Sequence, residues 1–226
     1  MLSRRNTQPL GWAIAGLLAF AGSGCGGKAA PIPPGWEPLD PTNMASFPGP
    51  MSGNQYPEVL NVVFGTSNST GAFYADGEGY IDMPILAVWK AMQTPKNVCD
   101  IQFLSSVMVT ATDVDNAADF SYDVSVVTTP PFPISFDLTG RELVTVGTKA
   151  DPTTVVFRDD LLGTSAFLTT LSDSIVLNAV NSNTTSYSVI RHAQSLSQTD
   201  KDTAVYITDI YNQVKAVAHG MPLPTY

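Results

Sequence analysis

The chain has 226 residues, of which 44% are hydrophobic and 14% are charged, and its formal net charge is −9. This much apolar material can form a packed core, which excludes an intrinsically disordered chain. The length suits one domain with appendages. No basic stripe offsets the acidic balance, so the composition argues against binding to nucleic acid.

Residues 1–24 have the features of an export signal. Arg4 and Arg5 form a basic start, and the apolar run "LGWAIAGLLAFA" that follows is too short for the ~20 residues of a membrane-spanning helix. Small residues then precede Cys25, which resembles a bacterial lipobox, although glycine replaces the usual leucine; ordinary cleavage nearby is the alternative. We predict a cleaved signal, lipidation of Cys25, and residence in the bacterial cell envelope, at the outer membrane or periplasmic face of a membrane.

The second cysteine, Cys99, has no partner in the chain if Cys25 carries lipid. The sequence therefore predicts no disulfide and assigns Cys99 the role of a small buried hydrophobe. A nucleophilic role is the alternative, but no His or cationic cluster stands nearby to lower the pKa of the thiol.

Residues 25–57 form a Pro/Gly-rich segment between the signal and the folded part. Eight of the 17 prolines of the chain lie there, a composition typical of an extended, semi-stiff linker. Trp36, Phe47 and Tyr56 interrupt this character and can pack against a folded surface. We predict a tether that is partly docked, followed by one domain over residues 58–226.

The first elements of the domain are a strand region and a short helix. The run "VLNVVFG" fits a helix turn or a strand, and "GAFYADGEGYIDMP" reads as strand material broken at "DGEG". Asp82 is placed to cap a helix that has Pro84 in its first turn and ends before Pro95. One face of this helix carries Ile85, Val88, Trp89 and Met92.

A series of strands and one long helix follow. Alternating or apolar segments predict strands at 120–126, 134–139, 153–158, 166–177 and 184–196. Asp159 and Asp160 are assigned to a surface turn. The closing helix begins at Thr199 with a capping box completed by Asp202, and Gly220 ends it. Its apolar stripe comprises Ala204, Ile207, Ile210, Tyr211, Val214, Val217 and Ala218.

This order of elements resembles the START-like superfamily of helix-grip proteins, also called SRPBCC and including polyketide cyclase-like proteins. The resemblance covers residues 74–223. It rests on the strand that leads through Pro84 into the helix with Trp89, Ala91 and Pro95, and on the final strand "TTSYSVIRHAQ" followed by "DTAVYITDIYNQVKAVAHG". It implies an α+β helix-grip fold, with a curved antiparallel β-sheet wrapped around a long C-terminal helix.

The resemblance also implies a cavity between sheet and helix that holds lipids, sterols, polyketides or other apolar molecules. The candidate ligand-binding residues are Tyr122, Phe136, Phe157, Tyr187, His192, Ile207, Ile210, Tyr211 and Val214. Two alternatives stay open: the apolar residues fill a closed core, and His192 is a hydrogen-bonded structural histidine.

Motifs for chemistry are missing from the sequence. With only His192 and His219 present, a multi-His metal centre is excluded. The acidic run from Asp113 to Asp119 departs from the EF-hand pattern and is read as a solvated loop. "GTSAF" lacks the closing glycine of a nucleophile elbow. We assign no catalytic residue, no metal and no cofactor.

We therefore predict a membrane-tethered envelope lipoprotein that binds or carries an apolar small molecule or lipid, and we favour a binding protein over an enzyme. One alternative is a cyclase- or hydratase-like enzyme that uses His192, Tyr187 or Arg191 in the same pocket. The other is an envelope scaffold with a packed pocket. The sequence does not specify protein partners.

Overall fold

The computed structural model describes residues 29–51, 55–129, 133–163, 167–196 and 198–225. Cys25 and the predicted signal lie outside the described residues, so both stay predictions. The described elements, in chain order, are β1 (Leu60–Thr66), β2 (Phe73–Ile81), α1 (Ile85–Met92), a 3₁₀-helix (Pro95–Val98), β3 (Leu104–Thr112), β4 (Phe120–Thr128), β5 (Ser135–Thr148), β6 (Asp151–Leu162), β7 (Leu168–Ala179), β8 (Thr185–Ser195) and α2 (Asp200–Ala218).

The eight strands form one curved antiparallel sheet in the order β1-β2-β8-β7-β6-β5-β4-β3. α2 packs against β1, β2 and β8, and α1 packs against β6, β7 and α2. We call the side of the sheet that meets the helices the inner face, and the space between this face and the helices the interior. This architecture confirms the predicted α+β helix-grip fold.

The helix termini follow the sequence signals at α2 but not at α1. Thr199 and Asp202 form the predicted capping box, and Gly220 follows the helix with φ +72°. The prediction that Asp82 caps α1 is wrong, because Pro84 occupies the cap position without a side-chain hydrogen bond. The Asp82 carboxylate instead accepts a hydrogen bond of 3.2 Å from Thr184 Oγ1, beside the start of β8.

Two strand predictions need correction. The "DGEG" run does not break β2, because Gly77 is a strand residue within it. A Cβ atom at Gly77 would lie 3.2 Å from Ile207 Cδ1 and 2.9 Å from Val189 Cγ1. Asp159 and Asp160 are not in a turn but within β6, where the Asp159 side chain is buried.

β1 proves to be a strand, and β3 is a strand for which the sequence analysis made no prediction. The β3 segment "LSSVMVTAT" is mostly exposed and lacks regular alternation, since it forms one edge of the sheet. An edge strand with little burial gives a weak periodic signal.

The N-terminal segment lies on the outer face of the sheet, opposite the helices. We call residues 30–48 the strap. It begins with a hydrogen bond of 2.7 Å from Ala30 N to Thr145 O on β5 and reaches β2, where the rings of Phe47 and Tyr80 are 5.1 Å apart. Among the described residues, no helix is both long and apolar enough to span a membrane.

Candidate functional site: the interior between sheet and helices

The interior contains most of the predicted ligand-binding residues. Alternation along the strands directs Tyr122, Phe157 and Tyr187 inward, and the stripe of α2 meets them from the other side. The rings of Tyr187 and Tyr211 contact edge to face, with centroids 5.5 Å apart. The predicted residues that are buried together in this core are Tyr122, Phe157, Tyr187, Ile207, Ile210, Tyr211 and Val214. Phe136 lies at its margin and is half-buried.

His192 does not share this space. On β8, Tyr187, Val189 and Arg191 point inward, so His192 faces the strap on the outer side, where its Nε2 lies 3.3 Å from Thr42 Oγ1. Burial, with a smaller contribution from the positive charge of Arg158, lowers the pKa of this imidazole. The placement of His192 in a pocket between sheet and helix is therefore corrected.

A buried ion pair joins β7 and β8 on the inner face of the sheet; the sequence analysis named its member Arg191 only for the enzymatic alternative and did not name Asp173. Arg191 Nη1 donates a hydrogen bond of 2.5 Å to Asp173 Oδ2, and the guanidinium carbon lies 3.5 Å from the ring centroid of Tyr206 on α2. Burial raises the pKa of Asp173 to about 6, against the opposing effect of Arg191. Burial and then the neighbouring Asp173 raise the pKa of Asp159 on β6.

These positions could have been found from the strand register. Asp159 continues the inward series of Val155 and Phe157, and Asp173 precedes the inward Ile175 and Leu177 (both on β7). A charged residue in an apolar register is the informative signal, because burial of a charge requires a compensating partner.

A second buried acid lies on β5. Glu142 is fully buried, and its Oε2 accepts a hydrogen bond of 2.5 Å from Nε1 of Trp89 on α1. Burial raises the pKa of Glu142 to about 8, although the bond from Trp89 opposes this. Tyr122 lies near both Asp159 and Glu142. Burial and then the nearby Asp159 raise the pKa of its phenol, and Glu142 makes a smaller contribution.

Several buried polar atoms of the interior have no hydrogen-bond partner among the residues that the structure describes. They are Tyr122 Oη, Glu142 Oε1, Asp159 Oδ1, Asp173 Oδ1, Tyr187 Oη and Arg191 Nε. A buried polar group without a partner costs about 1–3 kcal/mol, and such groups concentrate where water or a bound molecule completes them. The centre of an otherwise apolar interior is therefore polar.

Comparison with known proteins identifies the fold. No protein-family model and no curated protein sequence matches the chain. Among solved structures, the human StarD13 (DLC2) lipid transfer and protein localization domain is similar with a TM-score of 0.52 and 7% identity, over 73% of this chain and 86% of that one. The STAR-related lipid transfer protein from Xanthomonas axonopodis has a TM-score of 0.52 and 9% identity, over 72% and 95%. Human STARD10 has a TM-score of 0.52 and 5% identity, over 72% and 70%.

The chain has the START-like helix-grip fold. At such low identity the likeness concerns the fold, and activity has to be argued from the residues of this chain.

In this START-like domain, Gln213 of α2 holds the chain segment that borders one side of the interior. Its Oε1 accepts a hydrogen bond of 3.1 Å from Ile101 N, and its Nε2 donates bonds to Cys99 O (2.8 Å) and Asn97 O (3.3 Å). We call the segment 99–103 the latch loop. Cys99 itself is buried and burial raises its pKa, which confirms its prediction as a small buried hydrophobe.

Side chains fill the interior of the START-like domain in this structure. Its largest buried side chains, among them Tyr122, Phe157, Tyr187 and Tyr211, are less than 2% exposed. A pocket of about 370 Å³ lies outside, beside the latch loop, and is lined by Lys96, Ile101, Leu104, Ser105, Ser106 and Val107. Another, of about 350 Å³, lies on the outer side and includes His192, Thr42 and Gln194. The assignments of ligand-binding residues stay predictions.

Two aspartates of the acidic loop between β3 and β4 pair with basic side chains outside the loop. Asp115 pairs with Arg141 at 3.1 Å, and Asp119 pairs with Lys149 at 3.0 Å and accepts a hydrogen bond from Val144 N. Within the part of the chain that the structure describes, no group of three or more His, Cys, Asp or Glu side chains is arranged to hold a metal ion.

Proposed function

We propose that this START-like domain binds an apolar small molecule or lipid that carries a hydrogen-bonding head group, in the interior between sheet and α2. The observation that carries the proposal is the set of unpaired polar atoms, including Tyr122 Oη, Tyr187 Oη and Arg191 Nε, within an apolar core. A ligand whose apolar body replaces side-chain contacts and whose head group completes these atoms recovers the free energy that their burial costs.

The charges of the interior favour a neutral or cationic head group over an anionic one. Asp159, Asp173 and Glu142 face the same space as Arg191, the one cation found there among the described residues, and Asp173 already neutralises it. A carboxylate or phosphate placed there would find no unpaired cation among the described residues, and a buried charge without a partner is costly. A hydroxyl or an amine can donate a hydrogen bond to the free carboxyl oxygens.

Access requires a rearrangement, because the interior is closed. The latch loop is the segment that we expect to move: it is held to α2 by Gln213 and borders the pocket at Ile101. Opening there would connect the pocket of about 370 Å³ with the interior. Loops that gate binding sites move on microsecond to millisecond timescales.

The cellular setting of the proposal is a bacterial membrane surface. The basic start, apolar run and small residues before Cys25 support export and lipid attachment. The similar structures include proteins named for lipid transfer, and their fold supports an apolar ligand here. We propose that the anchored domain holds or carries such a ligand in the cell envelope.

One observation favours a second candidate function, an envelope scaffold whose former pocket is packed shut. Tyr122, Phe157 and Tyr187 fill the space that a ligand would take. The enzymatic alternative has less support, since His192 lies on the outer face and cannot act together with Tyr187 and Arg191 in one site.

Three fluorescent probes with the same apolar body test the binding proposal: pyrene, pyrenemethanol and pyrenecarboxylate. We expect pyrenemethanol to bind most tightly and pyrenecarboxylate most weakly, with about tenfold between neighbours, the value of one good hydrogen bond or about 1.4 kcal/mol. Fluorescence titration of the protein gives the three dissociation constants. Absence of saturable binding for all three would support the scaffold instead.

The variant Tyr187→Phe tests whether the head group of the ligand binds beside Tyr187. It removes the unpaired Oη without changing the shape of the ring, so the fold should be retained. We expect it to abolish most of the preference for pyrenemethanol over pyrene, and the matched Tyr74→Phe on the outer face to leave the preference unchanged. An unchanged preference in Tyr187→Phe would place the head group elsewhere.

A further inference from the structure

We propose that the strap fixes the orientation of the domain on the membrane. The β5–β6 turn and the β3–β4 loop face the bilayer, and the β1–β2 turn points away from it. This inference rests on the lipid attachment at Cys25 contained in the proposed function. It concerns a surface of the domain and a lipid bilayer as its partner.

The first half of the strap is bound along β5, β6 and β7. Ala30 N donates to Thr145 O, and the guanidinium of Arg141 lies 5.5 Å from the ring centroid of Trp36. Glu37 O accepts a bond of 3.5 Å from Arg158 Nη1. Leu39 N donates a bond of 3.0 Å to Ser174 Oγ.

The second half continues across β8, β2 and β1. Thr42 contacts His192, and Asn43 N donates a hydrogen bond of 2.8 Å to the buried Asp76 Oδ2. Ser46 O accepts a bond of 2.8 Å from Asn61 Nδ2. Six neighbouring strands therefore hold the strap by side-chain or main-chain contacts, which is more than a flexible linker would form.

This docking leaves little free chain for a membrane anchor. Residues 25–57, if free and extended, could hold the domain as far as about 110 Å from the bilayer. Because the strap is bound from Ala30 onward, only the residues between Cys25 and Ala30 can span the gap, and they reach at most about 18 Å. The part of the domain next to Thr145 must therefore lie close to the lipid head groups.

The register of the sheet identifies which end this is. Thr145 lies near the β5–β6 turn. The strand pairings place further residues at this same end of the sheet: Thr154 of β6 opposite Asn178 of β7, Ala179 of β7 opposite Thr185 of β8, and Thr185 opposite Ile81 of β2. The β1–β2 turn follows Thr66, at the opposite end of β2, about 26 Å along the strand. The two turns therefore differ strongly in their distance from the anchor.

Electrostatic attraction does not produce this orientation. The described residues of the end that faces the bilayer include Asp113, Asp115, Asp119 and Asp151, and Lys149 there is paired with Asp119. Acidic groups gain nothing from anionic lipids. The chain connection alone sets the geometry, so the orientation should be the same in neutral vesicles at low and at high salt.

Energy transfer from a fluorophore on the protein to an acceptor lipid tests the orientation. The labels go on Ala150→Cys in the β5–β6 turn or Asn68→Cys in the β1–β2 turn; Cys99 is buried and escapes labelling. The protein is produced with its own leader and, separately, with a leader of the expression host that directs acylation of Cys25, and intact mass verifies the acyl chains. Both forms are placed in phosphatidylcholine vesicles.

We expect at least twofold higher transfer efficiency from position 150 than from position 68. Equal or reversed efficiencies in the acylated protein overturn the orientation. If the protein made with its native leader carries no acyl chains while the protein made with the host leader does, the anchoring part of the proposed function is refuted. The orientation test then remains valid in the protein acylated with the host leader. The two failures are thus distinguishable.

Release of the strap supplies the matched control. Asn43→Pro removes the N–H that binds Asp76, whereas Asn43→Ala keeps it. We expect the difference between positions 150 and 68 to shrink in Trp36→Ala/Asn43→Pro/Phe47→Ala and to persist in Asn43→Ala. A difference that survives in the triple variant would show that another feature orients the domain, which also overturns the proposal.

Discussion

Arg191 and the acids around it form a buried polar cluster in the interior of this domain. Arg191 is 2% exposed, and its guanidinium is bonded to Asp173 and stacked on Tyr206, so its charge is already neutralised within the protein. A buried pair of this kind contributes little net stability, but the loss of one member leaves an uncompensated charge. In the proposed function, this cluster selects the head group of the ligand.

Removal of Arg191 should be severely destabilising. Arg191→Met leaves Asp173 buried without its cation, and we expect the free energy of unfolding to fall by about 3–5 kcal/mol in urea titrations. Lys149→Met is the control, because it also deprives an aspartate of its cation but at a side chain that is 64% exposed, and it should cost less than about 1 kcal/mol. Similar losses in both variants would show that Arg191 is not part of a dry interior.

Glu142 should make stability depend on pH. Its pKa is about 8 in the folded protein and 4.5 in the unfolded chain. Between these values the folded state keeps a proton that the unfolded state releases, so the free energy of unfolding decreases as pH rises from about 5 to 8.

The variant Glu142→Gln cannot ionise, and we expect it to lack this part of the decrease, on the order of 3 kcal/mol between pH 5 and 9. Other buried acids, such as Asp173, titrate in both proteins and cancel in the comparison. Parallel stability curves for the wild type and the variant would contradict the assignment.

At the scale of elements, α2 packs against two different parts of the domain. One side packs on β1, β2 and β8, and the other holds α1 and the latch loop. The apolar stripe of α2 predicted the first contact, since Ile207, Ile210 and Val214 recur at helical spacing. Gln213 carried no such signal, because a polar side chain that binds main-chain groups of a distant loop cannot be recognised from periodicity.

Gln213→Ala tests the latch loop. It leaves the half-buried N–H of Ile101 and the buried carbonyl oxygen of Cys99 without these partners, so we expect a loss of about 1–3 kcal/mol in stability. We also expect faster association of pyrenemethanol in stopped-flow fluorescence, since the loop opens more often. The adjacent Asn212→Ala is the control and should change neither quantity. Destabilisation without faster association would mean that ligands enter by another route.

How far the sequence predicts this fold depends on what each element contacts. The capping box of α2 and the alternation of β4 are local signals, and both were confirmed. The continuity of β2 at Gly77 depends on packing against Ile207, which is distant in sequence. Non-local packing of this kind lies beyond a periodic pattern.

At the scale of the whole molecule, the two faces of the sheet have separate roles. The inner face and the helices enclose the apolar interior, and the outer face binds the strap. The strap could be anticipated only in part: Trp36 and Phe47 indicated docking, but its path across six strands depends on main-chain groups without a residue preference. A ligand in the interior and the strap on the outer face would therefore lie on opposite sides of the sheet and would not compete for space.

Mass spectrometry under native conditions, on the full protein isolated from the membranes of its own host, tests most directly whether the interior holds a ligand. We predict a species heavier than the covalent mass of the protein by one small apolar molecule, and we predict that this excess disappears under denaturing conditions. A native mass that equals the covalent mass in every preparation would contradict the binding function.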